Sequence, residues 1–462
     1  MASDPREVRP DKPEARRRPK QAWLPLAVLA AAILFHAGRL LWIVDRYSVN
    51  LLYWDQWDFH TPLFDRLPLW QHFTWQHGPH RQGLGLLLSG AVAGMSGWNT
   101  RAEAFLIWGL LFLAAVAALW LKRRRFGALT GWDAAIPCAI LAPANWEHFV
   151  VAPNNAHSVL PLLLILLYCL AWTIPGPGPR YVAVVGLNFL LIFTGFGVFI
   201  GLISPVLLLS EVYRAHRAED PRRSALALLA LGMAVLSMGA FFIGYRNDPA
   251  VDCFEFPYHK PVDYLWFASL MFSRFFCLVG LKSYPLGVTL LLGCAAVALY
   301  HGRRLVQAEE AGHGIHAVVF TLAAFSLIFV ASTAVGRVCT GLGSAAASRY
   351  VTLVAPGILG IYLHLVSIRP CPPGRAYRVL AVLFPLAVIG GTAPVPPSQS
   401  RAMEYYRAGK TAWVRHYLAT ADLGSATTQS GFQVYPLTEE TDLSRKLRYL
   451  QARRLNLFLP RQ

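Results

Sequence analysis

Long apolar runs separated by short polar and basic segments set the pattern of this chain. The first run, Trp23–Val44, follows a polar stretch, Met1–Gln21, that carries seven Lys/Arg. A helix needs about 20 apolar residues to cross a bilayer. The run is too long for a signal-peptide core and no small-residue cleavage site follows it, so a retained membrane helix is predicted. Ala104–Leu121, closed by Lys122–Arg125, is the next clean span. Further spans are predicted near 133–151, 157–174, 181–194, 196–210, 225–244, 285–300, 315–334, 350–366 and 379–391. The chain therefore reads as an all-α polytopic membrane protein of about eleven helices. Pro143, Pro161, Pro205 and Pro285 predict kinks in helices that lie against neighbours.

Two apolar stretches do not read as spans. Leu84–Trp98 is short and suits a helix lying in the interface. The stretch 264–282 is interrupted by Arg274 and is read as a surface helix on the outer side. The tail 394–462 is not apolar enough to cross. The linker TAPVPPSQS leads into Met403, Tyr406, Trp413 and Tyr417 near helical spacing, then a strand-like SGFQVYP, then a Leu443/Leu447/Leu450 helix. A small α/β cap on the outer face is expected there. The organisation is thus a basic tail (1–21), a membrane domain (22–393) with a long outer loop (45–102), and a cap (394–462).

Composition agrees with this reading. Of 462 residues, 55% are hydrophobic and only 15% charged, against about 25% in soluble domains. The mean hydropathy is +0.42. The net charge of +17 would suit nucleic acid or an anionic surface. Topology accounts for much of it. With the N-terminus inside, inner segments hold 21 Lys/Arg and outer loops, the tail aside, hold ten. That is the positive-inside bias, and a nucleic-acid partner is not needed. The expected location is a bacterial inner membrane, with a cytoplasmic N-terminus and a periplasmic C-terminus. Seven scattered cysteines show no zinc-ligand spacing. Cys253 and Cys339 both fall in outer loops, where a disulfide could form.

Candidate chemistry concentrates in the outer loops. The first holds WDQWDFH, in which Asp55 and Asp58 stand three apart. On a helix this spacing puts both carboxylates on one face, where they could share a proton, bind a divalent cation or divide base and positioning roles. Solvated loop acids beside headgroup-anchoring tryptophans are the plainer alternative. His60 belongs to the same cluster, and HGPHR adds His77, His80 and Arg81, suited to an anionic substrate. NWEHFVVAPNNAHS, at the end of the third predicted span, contributes Glu147, His148 and Asn155. Arg246, Asp248 and Lys260 lie in the loop before 264, and Arg337 and Arg349 flank GLGSAAAS. Guanidinium matches phosphate oxygens bidentately, so the last two could clamp a lipid phosphate.

This arrangement resembles the GT-C superfamily of membrane glycosyltransferases. These are polytopic, with the N-terminus inside, a long first outer loop carrying surface helices and an acidic motif after the first span, and often a second acid in the next outer loop. Asp55 and Asp58 stand at the first acidic position and Glu147 at the second. The likeness is best over the first 160 residues. WDQWD departs from the adjacent acidic pair common in protein mannosyltransferases. The resemblance implies a polyprenyl-phosphate-linked sugar as donor, reached laterally from the membrane lipids. It implies Asp55 or Asp58 as general base, Glu147 as a further acid, and Arg246, Lys260 and Arg349 on the phosphate. His60, His80, Arg81, His148 and Asn155 are the other expected substrate contacts. Two alternatives stay open: a transporter or flippase of lipid-linked glycans, and a non-catalytic protein of envelope assembly. A transferase should gather its acids and an outer Arg or Lys around one cavity; a transporter should place ionisable groups deep in its spans.

Overall fold

The computed structural model describes residues 23–246, 251–278, 283–307, 310–367, 374–436 and 440–460. The basic tail Met1–Gln21 and Asp248 lie outside these residues. The architecture is all-helical. Among the described residues the strands are a two-residue pair, and eight helices are long and apolar enough to cross a membrane.

α1 (Trp23–Tyr47) leads into four short elements of the first loop: α2 (Asp55–Phe59), α3 (Thr61–Phe64), α4 (Leu69–Phe73) and a hairpin of β1 (Gln76–His77) and β2 (His80–Arg81). At about 1.5 Å per residue, α1 is long enough for the apolar thickness of a bilayer. Leu29, His36, Ala37, Leu40, Ile43 and Val44 form its packed stripe, while Leu34, Phe35 and Trp42 face outward. α5 (Gly83–Ser96) is a 14-residue helix below crossing length. A Cβ on Gly85 would stand 2.2 Å from Ala156 Cβ, so this glycine permits the close approach of α5 to the 152–158 loop. α6 (Thr100–Arg125) starts at Asn99, whose side chain accepts from Arg101 N–H, and ends on four basic residues that suit the C-terminal dipole.

The predicted third span is not a continuous helix. Gly131–Ala134 and Pro143–Asn145 are 3₁₀ turns, and α7 (Ala135–Ile140) and α8 (Glu147–Val150) are short. Pro137 and Pro143 remove two helical N–H donors. Ile140, Leu141, Ala142 and Ala144 are nevertheless buried. Irregular backbone at membrane depth is tolerated when protein surrounds it. α9 (Val159–Ala171) and α10 (Pro177–Ile192) have 13 and 16 residues, fewer than the about 20 of a full crossing, and α11 (Val198–Arg217) and α12 (Pro221–Phe242) form the next long pair. α13 (Val262–Arg274) has 13 residues and is too short to cross. α14 (Tyr284–Gln307), α15 (Glu310–Arg337), α16 (Val351–Ser367) and α17 (Arg375–Thr392) complete the bundle.

Among the described residues the tail is helical, without the strand that an α/β cap would need: α18 (Pro397–Thr420), α19 (Leu423–Ser430) and α20 (Glu440–Arg453). Among the described residues the strand-like SGFQVYP pairs with no strand; one of its groups, the Val434 carbonyl, accepts Trp54 N–H at 2.9 Å. The tail packs on the first loop through a shared core of Leu51, Trp57, Phe64, Trp413, Phe432 and Leu447. Loop and cap therefore occupy one end of the bundle. The other end holds Lys122 on Asp133 at 2.9 Å, and a fully buried Glu211 that meets Arg214 at 2.7 Å, Arg223 at 3.1 Å and Tyr181 Oη at 2.6 Å. Cys253 and Cys339 form a disulfide, with Cα atoms 5.8 Å apart, at the loop-and-cap end.

Candidate functional site

α2 shows how WDQWDFH works as a local unit. Its apolar and amide side chains turn inward: Trp57 and Phe59 are fully buried, and Gln56 donates to Pro153 O at 2.8 Å and Glu103 Oε2 at 3.2 Å. Gln56 Oε1 accepts Tyr53 N–H at 3.1 Å, which fixes the chain entering the helix. Trp54 is held at φ 49°, ψ −125°, a rare conformation for a bulky residue. The hydrogen bond from Trp54 N–H to the cap supports that conformation. The outcome is that the side chain of Asp55, first residue of the helix, projects to the surface, and its carboxylate makes no hydrogen bond or ion pair among the described residues.

Asp55 lines a cavity of about 300 Å³ together with Glu147, His148, His157, Arg337 and Arg349. Small-molecule sites begin near that size, at roughly 300 Å³. Glu147 Oε1 accepts Ser348 N–H at 2.9 Å and Oε2 accepts Arg349 N–H at 3.4 Å. The carboxylate thus caps the short turn that carries Arg349. His148 Nε2 lies 3.0 Å from both Ser158 Oγ and Thr352 Oγ1, which ties three segments at the cavity wall. His157 stacks face to face on Phe196, and its Nε2 is buried with no hydrogen-bond partner among the described residues. Burial, the neighbouring His80 and the two arginines hold the His157 pKa well below its ordinary value, so the ring is neutral. His80 sits behind it, 4.3 Å from the Phe196 ring, and burial with Arg337 nearby depresses its pKa to about 3.

Several expected residues lie elsewhere. Asp58 does not share the cavity: Tyr435 Oη donates to Asp58 Oδ1 at 2.5 Å, and Lys446 Nζ is 3.6 Å away. The cap claims the second acid through Tyr435 and Lys446, although the two stand three apart on one short helix. His60 is buried 2.9 Å from Glu103 Oε1. Burial opposes its charged form, but the Glu103 carboxylate outweighs that and raises the pKa. Asn155 bonds Gly85 O and Ser89 Oγ at 3.2 and 2.8 Å, and Asn154 lines the cavity in its place. Arg81 donates to the carbonyls of Phe241 and Ile243 at 2.7 and 2.5 Å and also to that of Thr74. It lines a second groove with Arg246. Lys260 is exposed on its loop and reaches neither.

The donor set does not suit the divalent cation considered above. Asp58 is diverted, the Glu147 oxygens hold backbone donors, and two guanidinium groups line the same space. Among the described residues no group of three or more His, Cys, Asp or Glu is placed to hold a metal.

Sequence reading passed over Lys410. It lies on the buried face of α18 and donates to Val150 O at 2.8 Å and Val151 O at 2.6 Å, with Nζ 4.8 Å from the Tyr53 ring centroid. The signal was available: residues 403, 406, 410, 413 and 417 follow helical spacing, so Lys410 stands in an otherwise apolar and aromatic stripe. No family model and no curated protein sequence matches this chain.

Proposed function

We propose that the protein is a membrane glycosyltransferase that moves a hexose or pentose from a polyprenyl-phosphate donor to a hydroxyl of an extracytoplasmic glycan or lipid. The observation that carries this reading is the meeting of the unpaired Asp55 carboxylate with Arg337 and Arg349 around one cavity. Acid and base stand together at a single end of an apolar bundle, as a charged donor with a greasy tail requires.

In this reading the acceptor oxygen attacks the anomeric carbon while its proton passes to Asp55. The bond from that carbon to the phosphate oxygen breaks, and its electron pair stays on the phosphate, giving inversion. Arg337 and Arg349 meet the phosphate charge, bidentately where geometry permits. The leaving group is already an anion near neutral pH, so a base, orientation and charge neutralisation are the main needs. Neutral His157, with its buried free nitrogen, is available to orient a hydroxyl.

Eleven crossings, with α13 outside the count, put loop 45–102, the cavity and the cap on the outer side. Packing of the cap on the first loop requires an odd number from the N-terminus to the cap, which supports that count. The excess of Lys/Arg at the opposite end and the Cys253–Cys339 disulfide at the cavity end favour the same orientation. A flippase has less to rest on: between α9, α10 and α11 the buried polar set is Tyr168, Ser204 and Asn188, all uncharged, and the ionisable pair His36 and Arg39 of α1 is tied to Cys138 and to the Thr392 and Ala393 carbonyls. The test uses membranes containing the protein and a panel of labelled polyprenyl-phosphate hexoses and pentoses. Label should leave the lipid fraction with the wild type and stay there with Asp55→Ala. Undiminished transfer by Asp55→Ala would remove the proposal.

A further inference from the structure

The second groove, of about 740 Å³, lies between α4, the hairpin and the ends of α10 and α12. Trp70, Phe73, Phe189 and Phe193 supply apolar and aromatic walls, and Arg81 and Arg246 supply charge. No carboxylate lines it among the described residues. Strand alternation explains its place. In β2 successive side chains point to opposite faces, so His80 turns to the candidate active cavity while Arg81 turns to this groove.

Arg81 is only 4% exposed. Three carbonyls accept from its three nitrogens, and its guanidinium carbon is 5.7 Å from the Phe241 ring centroid. Carbonyls satisfy donors without neutralising charge. A buried cation with no counter-ion among the described residues is costly in a low-dielectric setting, and the three carbonyls match only three of its five N–H groups. Arg246 stands at the mouth, its backbone fixed by a reciprocal pair with Gln76: Arg246 N–H to Oε1 at 3.0 Å and Nε2–H to Arg246 O at 2.6 Å. Its side chain is exposed and forms no ion pair among the described residues.

We infer that this groove binds the phosphate of an anionic glycerophospholipid of the surrounding leaflet, with Arg81 and Arg246 as its counter-charges. The occupant follows from the surroundings. Trp70 on the loop helix α4, and Phe242 and Ile243 at the end of membrane helix α12, are 66%, 57% and 74% exposed beside the groove. Aromatic side chains at that level match the headgroup region. A ligand that satisfies both walls must join acyl chains to a negative headgroup. The inference does not depend on the transferase reading, because the groove and the active cavity have separate linings. Lipid here would brace the hairpin whose other face backs His157.

Full-length protein, stripped of lipid in a neutral detergent, is titrated with phosphatidylglycerol or phosphatidylcholine, and bound lipid is counted by native mass spectrometry. Phosphatidylglycerol should bind more tightly. Arg246→Gln should weaken it about fivefold, the effect of one basic group near a lipid surface, and Arg246→Glu should weaken it further. Phosphatidylcholine binding should not change in either. Arg246 is exposed, so both variants keep the core intact. Equal binding of the two lipids, an unaltered affinity in both variants, or displacement of phosphatidylglycerol by millimolar inorganic phosphate would overturn the inference, the last by assigning the site to a soluble anion.

Discussion

Replacing Asp55 and Asp58 separately by alanine should split stability from activity. Asp58 Oδ1 accepts the Tyr435 hydroxyl at 2.5 Å, a charge-assisted bond that joins the first loop to the cap. Bonds to charged groups contribute about 1.5–3 kcal/mol. The Lys446 pair at 3.6 Å adds little, because the Asp58 side chain is 41% exposed and Lys446 keeps Asp442 at 2.5 Å. Asp58→Ala should therefore destabilise the loop–cap contact by about 2 kcal/mol, and Asp58→Asn, which keeps an acceptor, by roughly half as much. Asp55 has no partner to lose, so Asp55→Ala should change stability by no more than about 0.5 kcal/mol. It should instead lower transfer by about 10²–10⁴, the usual contribution of a general base. Tryptophan-fluorescence melts of purified variants give the first quantity and label transfer from the lipid donor gives the second. A stable Asp58→Ala protein without activity, beside an active Asp55→Ala protein, would refute the assignment of the two acids.

Other expectations concern the frame around the cavity. The depressed His80 and His157 pKa values mean that the unfolded chain binds protons more readily below about pH 6.5. Stability should be full above that pH and fall as pH drops toward the His80 value of about 3, and His80→Gln should flatten part of the slope in melts across that window. Glu211→Ala removes the buried carboxylate that Arg214 and Arg223 share and should cost about 3–5 kcal/mol, read as loss of folded protein in membranes. Peptide mapping without reductant should recover Cys253 joined to Cys339; two free thiols in protein taken from native membranes would contradict the outer placement of that end.

The membrane helices were legible in the sequence because hydrocarbon imposes a length and an apolar run on each. The 133–151 segment was not, since burial by neighbours allows Pro137 and Pro143 to break it while its composition stays that of a span. Asp55, Glu147 and Arg349 could be singled out as charged residues amid apolar sequence. Their separation from Asp58, Arg81 and Arg246 depends on what each meets in space, and the cap is decisive for Asp58. The cap itself read as an accessory because its polar contacts to the loop come from single residues. Lys410 and Tyr435 belong to no motif, and Lys410 is marked only by its place on a buried stripe.

The most direct measurement of the central claim is a sugar analysis of surface polysaccharide and lipid from cells lacking the gene. The deletion should remove or truncate one glycan. The wild-type gene should restore it, Asp58→Asn should restore most of it, and Asp55→Asn should not. An unchanged glycan profile on deletion, or full restoration by Asp55→Asn, would contradict the account.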